Sequence, residues 1–304
     1  MDAQIMRKID NQLQQKRANA IFKANKQKEE LLSSDPELNR LERTKRSIAC
    51  DLTIEKSKKK QMLYKANAEI EKYLSVNKIK MPAPQFDCKT CSDTGFTEKD
   101  GKQERCSCFT RMLVEESMQN SDIAALHTFE DFNENIFSTE QKTQMLEIKN
   151  YCLQFSENFP NVKKSNIVLC GGTGTGKTFL LSCIASKLKK RGFSVAFITA
   201  GKMFDILRKY AFNKISDIDF LINADMLIID DMGTEPIFNN ITLEYTFMLI
   251  NERAMLNKPM CISTNLLPDE LKSRYTERIS SRIFDQTTTN VLQLSGSDLR
   301  LRKC

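Results

Sequence analysis

Histidine occurs once in this 304-residue chain, at His127. It sits in a polar connector with no partner residue, which excludes chemistry that needs a paired imidazole. No apolar run approaches the roughly 18 to 20 residues of a membrane span. The polar stretch Met1 to Asp10 also lacks the apolar region of a signal peptide. These absences set the expectation of a cytoplasmic protein with no membrane partner. Glycine is missing from residues 1 to about 80, where the prolines are Pro36 and, just past the end, Pro82. Little in that stretch interrupts helix.

Apolar residues there recur at helical spacing: Ile5, Ile9, Leu13, then Ile21 and Leu31, then Leu38, Leu41, Ile48, Leu52, and finally Leu63, Ala66, Ile70, Tyr73. Asp35 followed by proline marks a helix start. The pattern predicts two long helices over residues 1–80, joined near Ser34 as an antiparallel hairpin. Their apolar stripe is too thin for an independent core, so part of it is expected to meet a partner surface, or another copy in a simple coiled coil. Charge is concentrated in the same region. Residues 1–110 hold 23 Lys plus Arg against 16 Asp plus Glu, while residues 111–304 hold 23 of each sign. Such a bias suits nucleic acid or an acidic protein, or simply a solvated helix face.

Met81-Pro82-Ala83-Pro84 ends the helical region and leads into clustered cysteines. Cys88-x-x-Cys91, then Asp93-Thr94-Gly95 and a polar tip at Asp100-Gly101, precede Cys106-x-Cys108. Two close pairs of thiols at this separation suit a tetrahedral four-thiolate zinc site, structural because four protein ligands leave no open position. A redox C-x-x-C is the alternative, without the βαβ context it needs. The remaining cysteines are scattered and are expected to be reduced.

Gly171-Gly172-Thr173-Gly174-Thr175-Gly176-Lys177-Thr178 is a phosphate-binding loop, preceded by the strand-like Ile167 to Cys170 and followed by a helix. Its glycines turn backbone N–H groups onto a phosphate, and the helix N-terminus adds partial positive charge. Lys177 is expected at the β- and γ-phosphates of ATP and Thr178 on Mg²⁺. The pattern then alternates: strands at 192–199, 226–229, 260–265 and 291–294, with helices at 201–212 and 241–256 between them. That order predicts an α/β parallel sheet covered by helices, after earlier helices at 109–126 and 139–158. Met226 to Ile229 run into Asp230-Asp231, a Walker B element in which Asp230 holds Mg²⁺ and Asp231 polarises the attacking water. A strand intervenes between the phosphate-loop strand and this acidic one, the organisation of ATPases that carry their own catalytic acid. Asn265, at a strand tip, is placed to orient the same water. Arg274, Arg278 and Arg282 recur every four residues and are expected on one helix face. One of them, Arg282 ahead of Arg278, can project into a neighbouring subunit's nucleotide site, and Arg300 can reach the phosphates within its own.

Together the zinc cluster, Thr128-Phe129, Gly171 to Thr178, Asp230 to Glu235, Asn251-Glu252-Arg253, Ser263-Thr264-Asn265, Ser281-Arg282 and Asp298-Leu299-Arg300 resemble the bacterial DnaC/DnaI-type replicative helicase loaders. These are AAA+ ATPases related to the IstB transposition ATPases. The resemblance covers roughly residues 82–304. It implies that Lys177 and Thr178 are Walker A residues, Asp230 and Asp231 Walker B, Asn265 sensor 1, Arg282 the arginine finger and Arg300 sensor 2. It further implies an ATP-dependent loader with the hexameric replicative helicase and single-stranded DNA as partners, self-assembling through its ATPase domain. A transposase or phage replication regulator of the IstB kind is the alternative, and a non-hydrolysing binding module a third. Four regions are expected: a helicase-binding helical hairpin (1–80), a zinc module (81–112), a linker (113–160) and the AAA+ domain (161–304). Asp231 stands where that pattern usually has glutamate, and the C-terminal lid is nearly absent; both imply slow turnover alone. For DNA, Phe204 to Lys214 mixes bases and aromatics around Arg208, Lys209 and Tyr210, and Phe238 is a second candidate.

Overall fold

The computed structural model describes residues 3–99, 101–117, 126–215, 218–237, 239–296 and 298–299. The chain forms two compact units, Asp10–Thr97 and Met1–Ile9 with Glu98–Cys304. Helices α1 (Ala3–Ser34), α2 (Pro36–Cys50) and α3 (Lys56–Val76) make most of the first. Asp35 caps α2, accepting from the Leu38 N–H at 2.9 Å, with proline at the first helical position. Where one long second helix was expected, the chain breaks at residues 51–55. The Asp51 carboxylate there accepts from the N–H and hydroxyl of Thr53, a local turn that competes with helix. The hairpin is therefore α2 against α3. Its far end is tied by the Tyr73 hydroxyl, which donates to Asp35 at 2.9 Å. The core here is small, centred on Leu32, Leu38 and Ile70, as the thin stripe implied.

Next come a two-stranded sheet of β1 (Phe96–Lys99) and β2 (Lys102–Arg105), which the sequence pattern did not suggest, and α4 (Ser107–Ser117). The helix expected over 109–126 is seen as far as Ser117; its remainder lies outside the described residues. Helix α5 (Thr139–Asn158) then leads to β3 (Asn166–Gly171), α6 (Lys177–Lys190), β4 (Val195–Thr199), α7 (Ala200–Ala211), α8 (Asp219–Asn223) and β5 (Met226–Met232). The chain continues as α9 (Asn239–Met255), β6 (Met260–Thr264), α10 (Pro268–Arg274), α11 (Glu277–Ile283) and β7 (Thr289–Leu294).

Strands β3 to β7 form one parallel sheet in the order β4-β5-β6-β3-β7. Strands β3, β4, β5 and β6 are apolar and buried almost throughout, as strands covered on both faces must be. Edge strand β7 is instead buried only at its ends, Thr289 and Leu294, and half-buried or exposed between them. The phosphate-loop strand β3 and acidic strand β5 are separated by β6, whose tip carries Asn265. Residues 192–194, expected in a strand, instead close α6: Gly192 has φ 91 and the Phe193 N–H donates back to the Leu188 carbonyl. Among the described residues no helix is long and apolar enough to cross a membrane.

Candidate nucleotide site and metal cluster

The carboxyl ends of β3, β5 and β6 bring the predicted nucleotide residues together. Gly171 leaves β3 at φ 155 with its α-carbon against β7, where a Cβ would lie 2.2 Å from the Leu294 carbonyl oxygen. Gly174 turns at φ 72, and a Cβ there would overlap the Asp298 carboxylate at 1.7 Å. The Leu299 N–H donates to the Gly174 carbonyl at 3.1 Å, so the segment after β7 packs on the loop tip. Thr175 donates its hydroxyl to the Gly172 carbonyl at 2.9 Å, and Gly176, at φ 97, hands over to α6.

Lys177 opens α6 and is only 4% exposed. Its ammonium donates to the carbonyls of Gly171 (2.8 Å) and Gly172 (2.7 Å) and to Asn265 Oδ1 (2.8 Å). The Thr178 hydroxyl donates to Asp230 Oδ1 at 3.1 Å. Burial pushes the Asp230 carboxyl above the usual carboxylate range, opposed by hydrogen bonds from Ser263 and Thr178. A cleft of about 240 Å³ is lined by residues 173–179 with Asp231, Asn265 and Leu299. A caged ammonium and inward-turned loop suit phosphate oxygens. Two adjacent hard oxygen donors, Thr178 and a carboxylate whose burial a cation would offset, suit Mg²⁺. The donor set thus fits a magnesium nucleotide.

Three features were not legible in the motifs. The β5–β6 register shifts between Ile229 and Met232, an irregularity that falls on the acidic pair. Ser263 donates its hydroxyl to Asp230 and accepts from the Asp231 N–H at 2.9 Å, while Thr264 donates to the Met232 carbonyl at 2.7 Å. Asp231 takes a left-handed φ of 55 there and turns onto the cleft. Second, Arg253 is fully buried, donating to the carbonyls of Leu221, Ile222, Ala224 and Pro259; burial pulls its pKa down to about 9. It fastens the end of α8 to the start of β6. Third, Glu235 is buried and accepts from the Tyr275 hydroxyl and the Gly233 N–H. Arg274 donates to the Glu235 carbonyl.

Arg274 closes α10, and the extended Tyr275 separates it from α11, so it does not share a helix with Arg278 and Arg282. The reason is Tyr275 itself, buried at 3% exposure with its hydroxyl on Glu235. Arg282 lies over the Phe247 ring at 4.7 Å and donates to Asn251 Oδ1 at 2.9 Å. The Arg278 side chain is exposed and makes no hydrogen bond or ion pair among the described residues. Arg300 and Phe238 lie outside those residues. On α7, Phe204 is buried at 5% exposure and belongs to the core, Tyr210 packs edge-on to Tyr245, and Arg208 and Lys209 both pair with Asp205. Phe212 is 57% exposed.

Cys88, Cys91, Cys106 and Cys108 bring their sulfurs within 4.8 Å of one another. Zinc bonds of about 2.3 Å in a tetrahedron need sulfurs roughly 3.8 Å apart, so the four thiols can hold a metal ion. The buried Asp93 carboxylate shapes the first pair's turn, accepting from the N–H groups of Asp87 (3.0 Å) and Cys88 (2.8 Å).

The chain is 26% identical to phage-like element PBSX protein XkdC of Bacillus subtilis (strain 168) over 234 residues, 72% of this chain and 86% of that protein. It is 27% identical to the replicative helicase loader DnaI of the same strain over 120 residues, 38% of this chain and 37% of that protein. Among solved structures it is similar to DnaI, at a TM-score of 0.49 and 19% identity over 58% of this chain and 96% of that one. The model of the IstB-like ATP binding proteins matches residues 85–304, and with the phosphate loop, acidic strand and Asn265 assembled as described, the chain belongs to that family.

Proposed function

We propose that this protein is an ATP-dependent loader of a hexameric replicative helicase onto single-stranded DNA. The observation that carries the reading is the Lys177–Asn265 contact beside the Thr178–Asp230 pair, on a chain that adds a long helical region and a cysteine cluster. Bound ATP with Mg²⁺ supplies the phosphoryl group and the charge that make hydrolysis possible. Lys177 and the loop N–H groups hold the phosphates, and Thr178 and Asp230 hold the magnesium. Asp231 accepts the proton of a water that Asn265 orients. Lys177 meets Asn265 at 2.8 Å, so the cation that holds the phosphates and the amide that orients the water lie side by side. Turnover is slow in the isolated protein, because the arginine comes from a neighbouring subunit. Arg282 takes that role, with Arg278, the less tethered of the two, as its competitor; Arg300 reaches the phosphates within the subunit. The cysteine cluster holds zinc in a structural role. Residues 1–80 grip the helicase, 81–112 form the zinc module, 113–160 link it to the ATPase, and 161–304 self-assemble.

The test is co-elution with the replicative helicase of the same source in the presence of ATP, for the full chain and for a chain lacking residues 1–80. Binding by the first and not the second is expected, with nucleotide binding kept by both as the control for folding. A full chain that ignores the helicase in every nucleotide state overturns the reading. The similarity to a phage-like element protein over 86% of its length favours, as second reading, an IstB-like regulator of a transposase or of phage replication. Its partner would then be a transposase or phage replication protein.

A further inference from the structure

One end of the α2–α3 hairpin carries charge that neither the nucleotide site nor the metal cluster uses. Tyr73 bonds to Asp35 at one end, so the loop at residues 51–55 marks the other. Residues 40–60 around that loop contain eight basic and three acidic side chains. All three carboxylates are engaged locally. Glu42 is buried against Lys28 at 3.0 Å, Asp51 is turned onto Thr53, and Glu55 accepts from Ser57. Arg40 is paired with Glu37, and Lys59 with the Asp51 carbonyl. The other six, Arg43, Lys45, Arg46, Lys56, Lys58 and Lys60, make no hydrogen bond or ion pair among the described residues. Two large apolar side chains stand out among them: Leu52 at the loop is 95% exposed, and Tyr64 on α3 is 77% exposed. Lys56, Lys60 and Tyr64 recur every four residues and so form one row, about 12 Å long at 1.5 Å per residue.

We propose that this end of the hairpin binds single-stranded nucleic acid, with Arg43, Arg46, Lys56 and Lys60 on the phosphates and a base stacked on Tyr64. Cations that lack carboxylate partners are matched by a polyanion, and an exposed ring one helical turn from Lys60 adds the stacking face that single strands use. Leu52, at the tip, supplies an apolar contact for a base edge. A membrane-lying helix would need a continuous apolar face, and the Lys56–Lys60–Tyr64 row is not one. These residues are other than those of α7, where Arg208 and Lys209 are already paired with Asp205. It does not depend on which macromolecular machine the ATPase serves.

The experiment is fluorescence anisotropy of a fluorescein-labelled oligothymidylate titrated with the full chain over a range of salt. Combining Arg43→Gln, Arg46→Gln, Lys56→Gln and Lys60→Gln is expected to weaken binding tenfold or more at low salt. It should also reduce the slope of log K against log salt by about 3, at about 0.7 for each phosphate no longer neutralised. Tyr64→Ala alone is expected to weaken binding roughly fivefold or more and leave the slope unchanged. Arg208→Ala with Lys209→Ala, measured alongside, reports any contribution from the ATPase. Unchanged affinity and slope in the fourfold variant overturn the proposal. So does a fourfold variant that loses phosphatidylserine vesicles or polyglutamate as readily as the oligonucleotide while Tyr64→Ala binds DNA normally; the surface would then be a general anion-binding one. Circular dichroism melts matching wild type establish that both variants fold.

Discussion

Asp231 occupies a backbone region that aspartate tolerates and longer side chains favour less, with φ 55 and its N–H held by Ser263. Its carboxylate is therefore aimed by the backbone, not by reach, which is a physical reason for aspartate at a position where glutamate is usual in the AAA+ pattern. Asp231→Asn is expected to keep nucleotide affinity and lower turnover about 100-fold or more, as loss of a general base does, read from nucleotide binding and phosphate release on the same samples. A protein with no measurable turnover before the substitution would point to the non-hydrolysing binding module. Arg253 makes a contrasting case. Four carbonyls depend on one buried guanidinium, so Arg253→Met should cost roughly 3 kcal/mol or more in a denaturant melt by leaving acceptors without donors. Arg253 was visible in the sequence only as part of a family signature, because nothing in a linear pattern says that an arginine is buried.

At the level of elements, the register shift in β5 and the two hydroxyls of β6 form one device. Ser263→Ala removes the acceptor for the Asp231 N–H and a donor to Asp230 together. The expected result is a stability loss of about 1 to 3 kcal/mol and a fall in turnover larger than the fall in nucleotide affinity. Equal falls would mean that Ser263 only supports the fold. The strands themselves were readable as buried apolar runs, because a parallel sheet demands them. The order in which the strands pair was not, since hydrophobicity is the same on either neighbour. The break between α2 and α3 escaped a periodicity reading for a related reason: the stripe continues in phase through Leu52, and a two-residue side-chain turn at Asp51 overrides it. Likewise Tyr275, apolar and correctly spaced for a helix, ends one because its hydroxyl is drawn to Glu235.

For the whole molecule, the cysteines among the described residues sort into two chemistries. Cys152 and Cys183 are buried, and their thiols are pushed up to about 12 from an ordinary value near 9. A folded-state pKa above the unfolded one favours the native state fully below about pH 9 and progressively less as pH rises toward 12. Unfolding free energy is thus expected to decline over that alkaline range, and a flat profile would contradict burial of neutral thiols. Cys50, in contrast, is exposed and should react at once with a thiol reagent near neutral pH. Removing the metal with a chelator is expected to add Cys88, Cys91, Cys106 and Cys108 to the reactive set, with zinc released in step and detected by a chromogenic indicator. Release of no metal would contradict the zinc assignment. The core thiols should stay silent in both forms.

The amino-acid sequence by itself determined the local chemistry: a glycine loop before a helix, carboxylates at the end of an apolar strand, two close pairs of thiols and an excess of positive charge before residue 110. Each of these is written within a few residues, where backbone connectivity alone holds the groups together. Tertiary structure decided which strand lies between β3 and β5, that Lys177 meets Asn265 across the site, that Ser263 supports both acidic residues, and that Phe204 is core while Tyr64 is exposed. Those outcomes depend on residues distant in the chain competing for the same buried volume and the same hydrogen-bonding groups, and that competition is settled only when the sheet and its helices close around one core.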